Sequence, residues 1–322
     1  MGRYPPTPAG HPGERHSILT DEAEGRQVME HSTPWEFSDD RGRLAVAGDR
    51  PLRIVAYIQA GATLWDHGIR PVGLFGSQHD GAAPDPAKAG ELPLTEIPYL
   101  GSGGTLHPDT LLEAEPDLVV AVTYDGEQVY GLEQKTAREL ETHVPLATVA
   151  VGPGRSLAEV RERFAALAGS LGRGEPPSGA RELDTAEDAL RQATGGAVRP
   201  RVLALSPAGP ERVHLARPSS WPDLRALTEH GLGLLEPAAG AGVNWSTVGW
   251  AEAAAMDPDI VLMDVRVNAA RPQELRADEH WRAIEARARL LPWNPEAPCS
   301  RRAHTRFFTL LADTVRASAG TG

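Results

Sequence analysis

Two stretches of the chain repeat the same pattern at a separation of 142 residues. Residues 115–120 read EPDLVV and residues 257–262 read DPDIVL, each a helix end and a Pro-Asp turn followed by a buried strand. A second pair, RIVAY at 53–57 and RVLAL at 201–205, recurs at a separation of 148 residues. Two repeats at nearly the same offset predict two α/β lobes of similar plan.

Within the first lobe, the elements alternate in type. A buried strand at 53–57 precedes a helix at 62–67, which Gly68 closes, and a second strand follows at 71–76. This order is that of a βαβ unit, which predicts a parallel sheet. In the second lobe we expect helices near 221–230 and 247–256, a strand at 260–263 and a C-terminal helix at 302–317.

A helical stretch separates the two repeats. Ser156 with Glu159 three residues later forms a capping box for one helix, and apolar residues at helical spacing over 183–193 predict a second helix that joins the lobes. The predicted organisation is a disordered leader at 1–34, an N-terminal lobe at 35–173, a connecting helix at 174–198 and a C-terminal lobe at 199–322.

Composition excludes several classes of protein. A net charge of -12 argues against a nucleic-acid partner, and no apolar run approaches the ~20 residues of a membrane span. The single cysteine, Cys299, excludes an internal disulfide framework and is expected to be structural. Residues 1–31 are polar and lack the apolar core of a secretion signal. The chain as written is therefore expected to be cytoplasmic, or extracytoplasmic if a natural signal has been removed.

Several weak motifs occur together in a specific order. They are DDRGR at 39–43, the strand at 53–55, Gly101-Ser102, both Pro-Asp strands, the helix at Ser156, and Trp281 before the last strand. In this order the chain resembles the substrate-binding proteins of ABC importers that are joined by a backbone helix and capture ferric siderophores, haem or cobalamin. The siderophore branch is the most similar.

The resemblance implies both a fold and a function. The implied fold has two Rossmann-like lobes with parallel central sheets, a single long backbone helix between them and a ligand cleft between the lobes. The implied function is binding of an iron-siderophore or similar metal chelate for an ABC permease, without catalysis. Iron would enter only as part of the chelate, so no directly bound cofactor or metal is expected.

Loops at the carboxyl ends of the strands would line such a cleft. Arginine suits anionic chelator oxygens, and tyrosine and tryptophan offer flat apolar area. The ligand-binding candidates that the resemblance implies are Gln59, Phe75, Gln78, Ser102, Tyr124, Arg217, Trp245, Arg266, Trp293 and Arg301.

Family members dock on their permease through one glutamate in each lobe. Here the first position holds Asp109, a shorter acid, and the second holds Ala251, with Glu252 one place away. These departures weaken the expectation of docking. They leave open a cytosolic relative that reuses the fold for a metabolic or enzymatic role, and a scaffold or sensor whose partner is another protein.

Other motifs point to no specific chemistry. The sequence contains no Gly-x-Ser-x-Gly elbow, Walker A loop or His-Glu-x-x-His helix. His79-Asp80 is expected to form an exposed turn rather than a metal pair, and Gly101–Thr105 a plain turn rather than an anion nest. Haem binding through Tyr124 or a cleft histidine remains an alternative.

Overall fold

A computed structural model describes residues 34–174, 178–196, 199–240 and 242–319. All but the last residue of the predicted leader lies outside this part of the chain. The described chain opens with an antiparallel hairpin of β1 (Trp35–Ser38) and β2 (Leu44–Ala47). Its turn is closed by Asp39, whose carboxylate accepts hydrogen bonds from the backbone N–H groups of Arg41 and Arg43 at 3.0 and 2.9 Å.

The N-terminal lobe is built on five parallel strands in the order β5-β4-β3-β6-β7. The strands are β3 (Ile54–Tyr57), β4 (Gly73–Gly76), β5 (Tyr99–Ser102), β6 (Leu118–Thr123) and β7 (Leu146–Ala150). The helices beside them are α1 (Ile58–Asp66), α2 (Pro108–Leu112) and α3 (Gln134–Leu140). All six residues of β6 are buried, as expected for a central parallel strand.

Helix α1 begins four residues before its predicted start. Residues 58–64 are buried on every side, so this part of the helix shows no amphipathic period and its beginning cannot be read from the sequence. Its end agrees with the prediction, since Gly68 adopts a positive φ of 77° just beyond it.

Two helices carry the chain from one sheet to the other, α4 (Leu157–Ser170) and α5 (Ser178–Thr194). The predicted capping box is present, with the Ser156 hydroxyl and the Glu159 carboxylate each accepting from the other's backbone N–H. Helix α4 buries Val160 and Phe164 in the N-terminal core. Helix α5 buries Leu183, Ala186 and Leu190 in the C-terminal core. The boundaries proposed for the lobes stay predictions.

The C-terminal lobe has a mixed sheet in the order β11-β9-β8-β12-β13, with β10 beside the start of β8. Its strands are β8 (Arg201–Pro207), β9 (Val213–Ala216), β10 (Gly233–Leu234), β11 (Trp245–Val248), β12 (Ile260–Asp264) and β13 (Arg289–Trp293). Its helices are α6 (Pro222–Glu229), α7 (Trp250–Ala255), α8 (Pro272–Leu275), α9 (Glu279–Arg287) and α10 (Arg301–Ala319).

Two features of this lobe differ from the prediction. Strands β9 and β11 are antiparallel to their neighbours, because the loop of residues 208–212 is too short for a parallel crossover and forms a hairpin. The helix predicted from Thr247 starts only at Trp250, since residues 245–248 form β11 instead. Thr247 and Val248 are β-branched residues that favour a strand.

The repeated Pro-Asp pattern is also a structural repeat. The residue before each proline has a positive φ, 48° at Glu115 and 50° at Asp257. Asp117 accepts a hydrogen bond from the backbone N–H of Arg53 at 2.9 Å, and Asp259 accepts one from that of Arg201 at 2.7 Å. In both lobes the aspartate therefore fixes the start of the neighbouring central strand, which confirms the two-lobed plan.

After β13 the chain passes back to the N-terminal lobe through residues 294–300, here called the return segment. The side-chain amide of Gln59 donates to the carbonyl of Ala297 at 2.9 Å, and the backbone N–H of Cys299 donates to the Thr63 hydroxyl at 2.9 Å. Cys299 is buried in the N-terminal core, and burial raises the pKa of its thiol to about 12. The lobes are thus connected both before β8 and after β13.

Candidate functional site

A cleft lies between the lobes at the carboxyl ends of their central strands. Its first hollow has a volume of about 630 Å³. It is lined by His79, Tyr124 and Tyr130 from the N-terminal lobe, Glu296 from the return segment, and Ser206, His214, Trp221, Gly242, Asn244, Trp245, Thr247, Arg266 and Asn268 from the C-terminal lobe. A second hollow of about 670 Å³ adjoins it and shares Tyr124, Gly242, Asn244 and Trp245 with it. This location matches the general rule for ligand sites in open α/β sheets.

Aromatic rings from both lobes form one wall of the cleft, here called the aromatic wall (Tyr124, Tyr130, Trp221 and Trp245). Tyr124 lies 4.8 Å from Tyr130 and 6.1 Å from Trp221, and Trp221 lies 5.1 Å from Trp245, all in edge-on geometry. Edge-on contacts hold the rings in place while leaving apolar surface for a ligand. The wall can therefore pack against the organic frame of a large ligand.

The hydroxyl of Tyr124 is a donor within this wall. It is buried and makes no hydrogen bond with any of the described residues. Burial raises the pKa of Tyr124 well above its ordinary value, and the negative charge of Glu296 raises it further. The phenol is therefore neutral and keeps a proton that no group of the described chain accepts.

A group of five buried charged residues lies beneath the first hollow, here called the ion cluster (Lys88, Asp80, Glu296, Arg266 and Asp264). The Lys88 ammonium lies 2.8 Å from Asp80 and 3.0 Å from Glu296. The Arg266 guanidinium lies 2.7 Å from Asp264 and also pairs with Glu296. Glu296 therefore bridges a cation of each lobe, which holds the two halves of the cleft floor together.

Neighbouring hydroxyl and amide groups complete the floor. Tyr57 at the end of β3 donates its hydroxyl proton to Glu296, and Ser206 at the end of β8 donates to Asp264 at 2.7 Å. Asp85 accepts from the backbone N–H of Val267 across the lobes at 2.9 Å. Buried charges are tolerated when they are paired and hydrogen-bonded in this way.

Three predicted ligand-binding residues line the cleft, namely Tyr124, Trp245 and Arg266. Arg266 follows β12 as expected, but its guanidinium is occupied by two carboxylates rather than presented alone to a ligand. Arg217 adjoins the cleft, and its guanidinium donates to the carbonyls of Gly242 and Ala238 at 3.1 and 3.2 Å. It therefore holds the loop that forms the rim.

Three other predicted residues lie away from the first hollow. Gln59 and Trp293 line a separate cavity of about 270 Å³ behind the aromatic wall, where the indole N–H of Trp293 donates to Asp223 at 2.7 Å. Phe75 is fully buried in the N-terminal core and packs 5.8 Å from the ring of Tyr57. A residue at the end of a parallel strand can equally point under the sheet, and the sequence does not distinguish the two directions.

The remaining candidates occupy loops and helix ends. Gln78 is exposed in the loop after β4, and Arg301 begins α10. The Ser102 hydroxyl donates to the carbonyls of Asp80 and Gly81 at 3.2 and 3.0 Å, so it positions the loop that carries Asp80. The ligand contacts of all ten candidates stay predictions.

Sequence reasoning missed several residues of the cleft and its floor, namely Lys88, Tyr130, His214, Trp221 and Glu296. None belongs to a recognisable motif, and Lys88 meets Glu296 only through the fold.

At the His79-Asp80 turn, His79 is exposed as predicted and lines the first hollow, whereas the carboxylate of Asp80 is 1% exposed because Lys88 covers it. Residues 103–105 form a 3₁₀ turn.

The described part of the chain contains neither a metal-binding cluster nor a membrane-spanning helix. Within residues 34–174, 178–196, 199–240 and 242–319, no three His, Cys, Asp or Glu side chains come together as a metal site. The helices of these same ranges include none with the length and apolar character needed to span a membrane.

Comparison with known proteins identifies the family. The periplasmic binding protein family matches residues 54–289, and the chain belongs to this family. No curated protein sequence matches the chain.

Solved structures share the fold. DesE, a ferric-siderophore receptor protein from Streptomyces coelicolor, is 24% identical with a TM-score of 0.78, over 88% of this chain and 98% of its own. FhuD, a siderophore-binding protein from Vibrio cholerae solved with Fe³⁺–Desferal, is 17% identical with a TM-score of 0.61, over 83% and 98%. A periplasmic heme-binding protein from Pseudomonas aeruginosa is 17% identical with a TM-score of 0.62, over 83% and 94%.

Proposed function

We propose that this protein binds a ferric siderophore or a similar metal chelate in the cleft between its lobes. The observation that carries the proposal is the aromatic wall, which spans both lobes and contains the Tyr124 hydroxyl, for which the described residues supply no hydrogen-bond partner. A chelate is a large ligand with an apolar frame and a few outward oxygens. Such a wall supplies contact area at little conformational cost, and the phenol supplies a directed hydrogen bond.

The polar groups of the cleft suit binding rather than proton transfer. Arg266 and Glu296 are the charged residues that line the first hollow, and each is already held by partners on the floor. Fixed ion pairs of this kind orient a ligand without exchanging protons with it. The siderophore-binding proteins DesE and FhuD and the heme-binding protein from Pseudomonas aeruginosa share this fold.

The iron in this proposal arrives inside the chelate. The groups that face the first hollow are mainly aromatic rings, amides and hydroxyls, which match the organic shell of a chelate better than a bare cation. The protein then needs no cofactor of its own, and its specificity lies in the shape and charge of the complex.

We further propose that the protein serves an ABC-type permease outside the cytoplasmic membrane, where periplasmic binding proteins act. Asp109 lies in the first turn of α2 and Glu252 in the first turn of α7, each just before the Pro-Asp turn of its lobe. Both side chains belong to exposed residues. They therefore present one carboxylate from each lobe, despite the shorter acid in the first lobe and the shifted position in the second.

Tryptophan fluorescence tests the binding proposal, because Trp221 and Trp245 line the first hollow. The purified protein is titrated with ferric hydroxamate, catecholate and carboxylate siderophores, their iron-free forms, haem and cobalamin. We expect saturable quenching by one iron-loaded class at micromolar or lower concentration. The Trp245→Phe variant should lose part of this signal, whereas Trp281→Phe, in the core, should keep it. No response to any compound would refute the proposal and favour a metabolic role for the fold.

A further inference from the structure

The charges around the cleft do not favour an anion. In the ion cluster, Lys88 and Arg266 face the three carboxylates of Asp80, Asp264 and Glu296, which leaves a surplus of one negative charge. All five side chains are 8% exposed or less, so water screens this surplus poorly. Each cation is already bound by two carboxylates.

The second hollow offers no surplus of positive charge either. It is lined by Asp40, Asp125 and Arg155. Arg155 lies 3.4 Å from Asp40, which is also bound by Arg163 at 2.8 Å. Asp125 accepts from the backbone N–H groups of its own turn, and no ion pair among the described residues neutralises it. The net charge of the whole chain, -12, is also negative.

The pKa values of two phenols in the cleft, Tyr124 and Tyr130, reflect both their burial and this negative charge. Burial raises the pKa values of Tyr124 and Tyr130 above their ordinary value, and the charge of Glu296 raises both further. A phenolate oxygen in the aromatic wall is thus opposed both by lost solvation and by a nearby carboxylate. The same two effects oppose a negatively charged oxygen that a ligand brings to this wall.

Iron chelates differ widely in charge. Three hydroxamate groups each carry one negative charge and neutralise Fe³⁺, whereas three catecholate groups carry two each and leave the complex at −3. Resting on the function proposed above, we propose that the cleft selects neutral or cationic ferric complexes, of the trihydroxamate type, and rejects polyanionic ones. The oxygens of such a complex, whose hydroxamate charges are neutralised by Fe³⁺, can accept hydrogen bonds from Tyr124 and Asn244, both of which line the first hollow.

The test uses one linear ferric trihydroxamate in three charge forms. Its terminal amine gives the cationic form, acetylation gives the neutral form and succinylation gives the anionic form, and ferric tris-catecholate completes the series. Affinities are measured with the full-length protein by isothermal titration calorimetry. At an effective dielectric constant of about 20 and a separation on the order of 10 Å, the surplus charge is worth about tenfold in Kd per unit of ligand charge.

The expected order of affinity is cationic, then neutral, then anionic, with the tris-catecholate binding weakest. Equal affinities, or tightest binding of the anionic forms, would overturn the charge inference and leave the binding function intact. If none of the ferric complexes binds, the proposed function fails and this inference fails with it. The Glu296→Gln variant should bring the affinities of the cationic and anionic forms about a hundredfold closer, because they differ by two units of charge, and an unchanged ratio in the folded variant would also overturn the inference.

Discussion

Glu296 forms ion pairs with both lobes, although nothing in its local sequence indicates this role. Its side chain is 1% exposed and accepts from Lys88, Arg266 and the hydroxyl of Tyr57. The substitution Glu296→Gln keeps the size of the side chain and removes its charge. Lys88 still has Asp80 and Arg266 still has Asp264, so neither cation is left without a carboxylate.

Removing one partner of a buried ion pair costs about 3–5 kcal/mol. Because both cations keep a second carboxylate, we expect the low end of this range, about 3 kcal/mol of unfolding free energy. In a chain of this size, such a loss lowers the midpoint of thermal unfolding by about 6 °C. Differential scanning calorimetry at neutral pH measures the midpoint, and urea denaturation measures the free energy.

Glu91→Gln provides a matched control. Glu91 also pairs with two arginines, Arg302 and Arg306, but its side chain is 38% exposed. Exposed ion pairs contribute about 0–1 kcal/mol, so this variant should remain close to the wild type. If Glu296→Gln destabilised the protein no more than Glu91→Gln does, the ion cluster would not hold the lobes together as described.

Three further predictions follow from individual residues. Tyr124→Phe should weaken chelate binding about threefold to tenfold. It should leave thermal stability unchanged, because the Tyr124 hydroxyl has no partner among the described residues. The control Tyr99→Phe, outside both hollows, should change neither chelate affinity nor thermal stability. Burial lowers the pKa of His304 to about 3, so the unfolded chain takes up a proton below pH ~6.5 that the folded protein refuses. Lowering the pH from 7.5 to 5.0 should therefore reduce the free energy of unfolding by about 2 kcal/mol through this residue. Urea unfolding of the wild type and of His304→Gln at these two pH values measures the effect. An equal loss of stability in the two proteins would refute the account. Glu115→Gly should stabilise the protein by up to about 1 kcal/mol, because glycine relieves the positive φ at this position. Glu113→Gly, at a φ of −59°, should destabilise it by about 1 kcal/mol. A lower thermal midpoint for Glu115→Gly than for Glu113→Gly would contradict this reasoning.

The fold could be predicted well because its signals are local. The strands of residues 118–123 and 260–264 are apolar runs behind a Pro-Asp turn, and the capping box at Ser156 needs only four residues of sequence. The mixed second sheet could not be predicted from the repeat, since the repeat includes the central strands β8 and β12 but not β9, which returns from β8 in a hairpin.

The cleft could be predicted in part. The rule that ligands bind at the carboxyl ends of parallel strands selected Tyr124 and Arg266, which line the cleft, but it also selected Phe75, which points into the core. One partner of Arg266, Asp264, is two residues away in sequence, but the other, Glu296, lies in the return segment and meets Arg266 only through the fold. The sequence therefore predicted that Arg266 meets an anionic ligand, whereas in the structure two carboxylates already neutralise its charge.

The position of the iron tests the central claim most directly. Crystals of the protein with a neutral ferric trihydroxamate, measured at the iron absorption edge, should show one anomalous peak in the cleft between the aromatic wall and Arg266. The chelator should lie against Trp245 and within hydrogen-bond distance of the Tyr124 hydroxyl. An iron peak elsewhere on the protein, or an empty cleft at saturating ligand, would contradict the account.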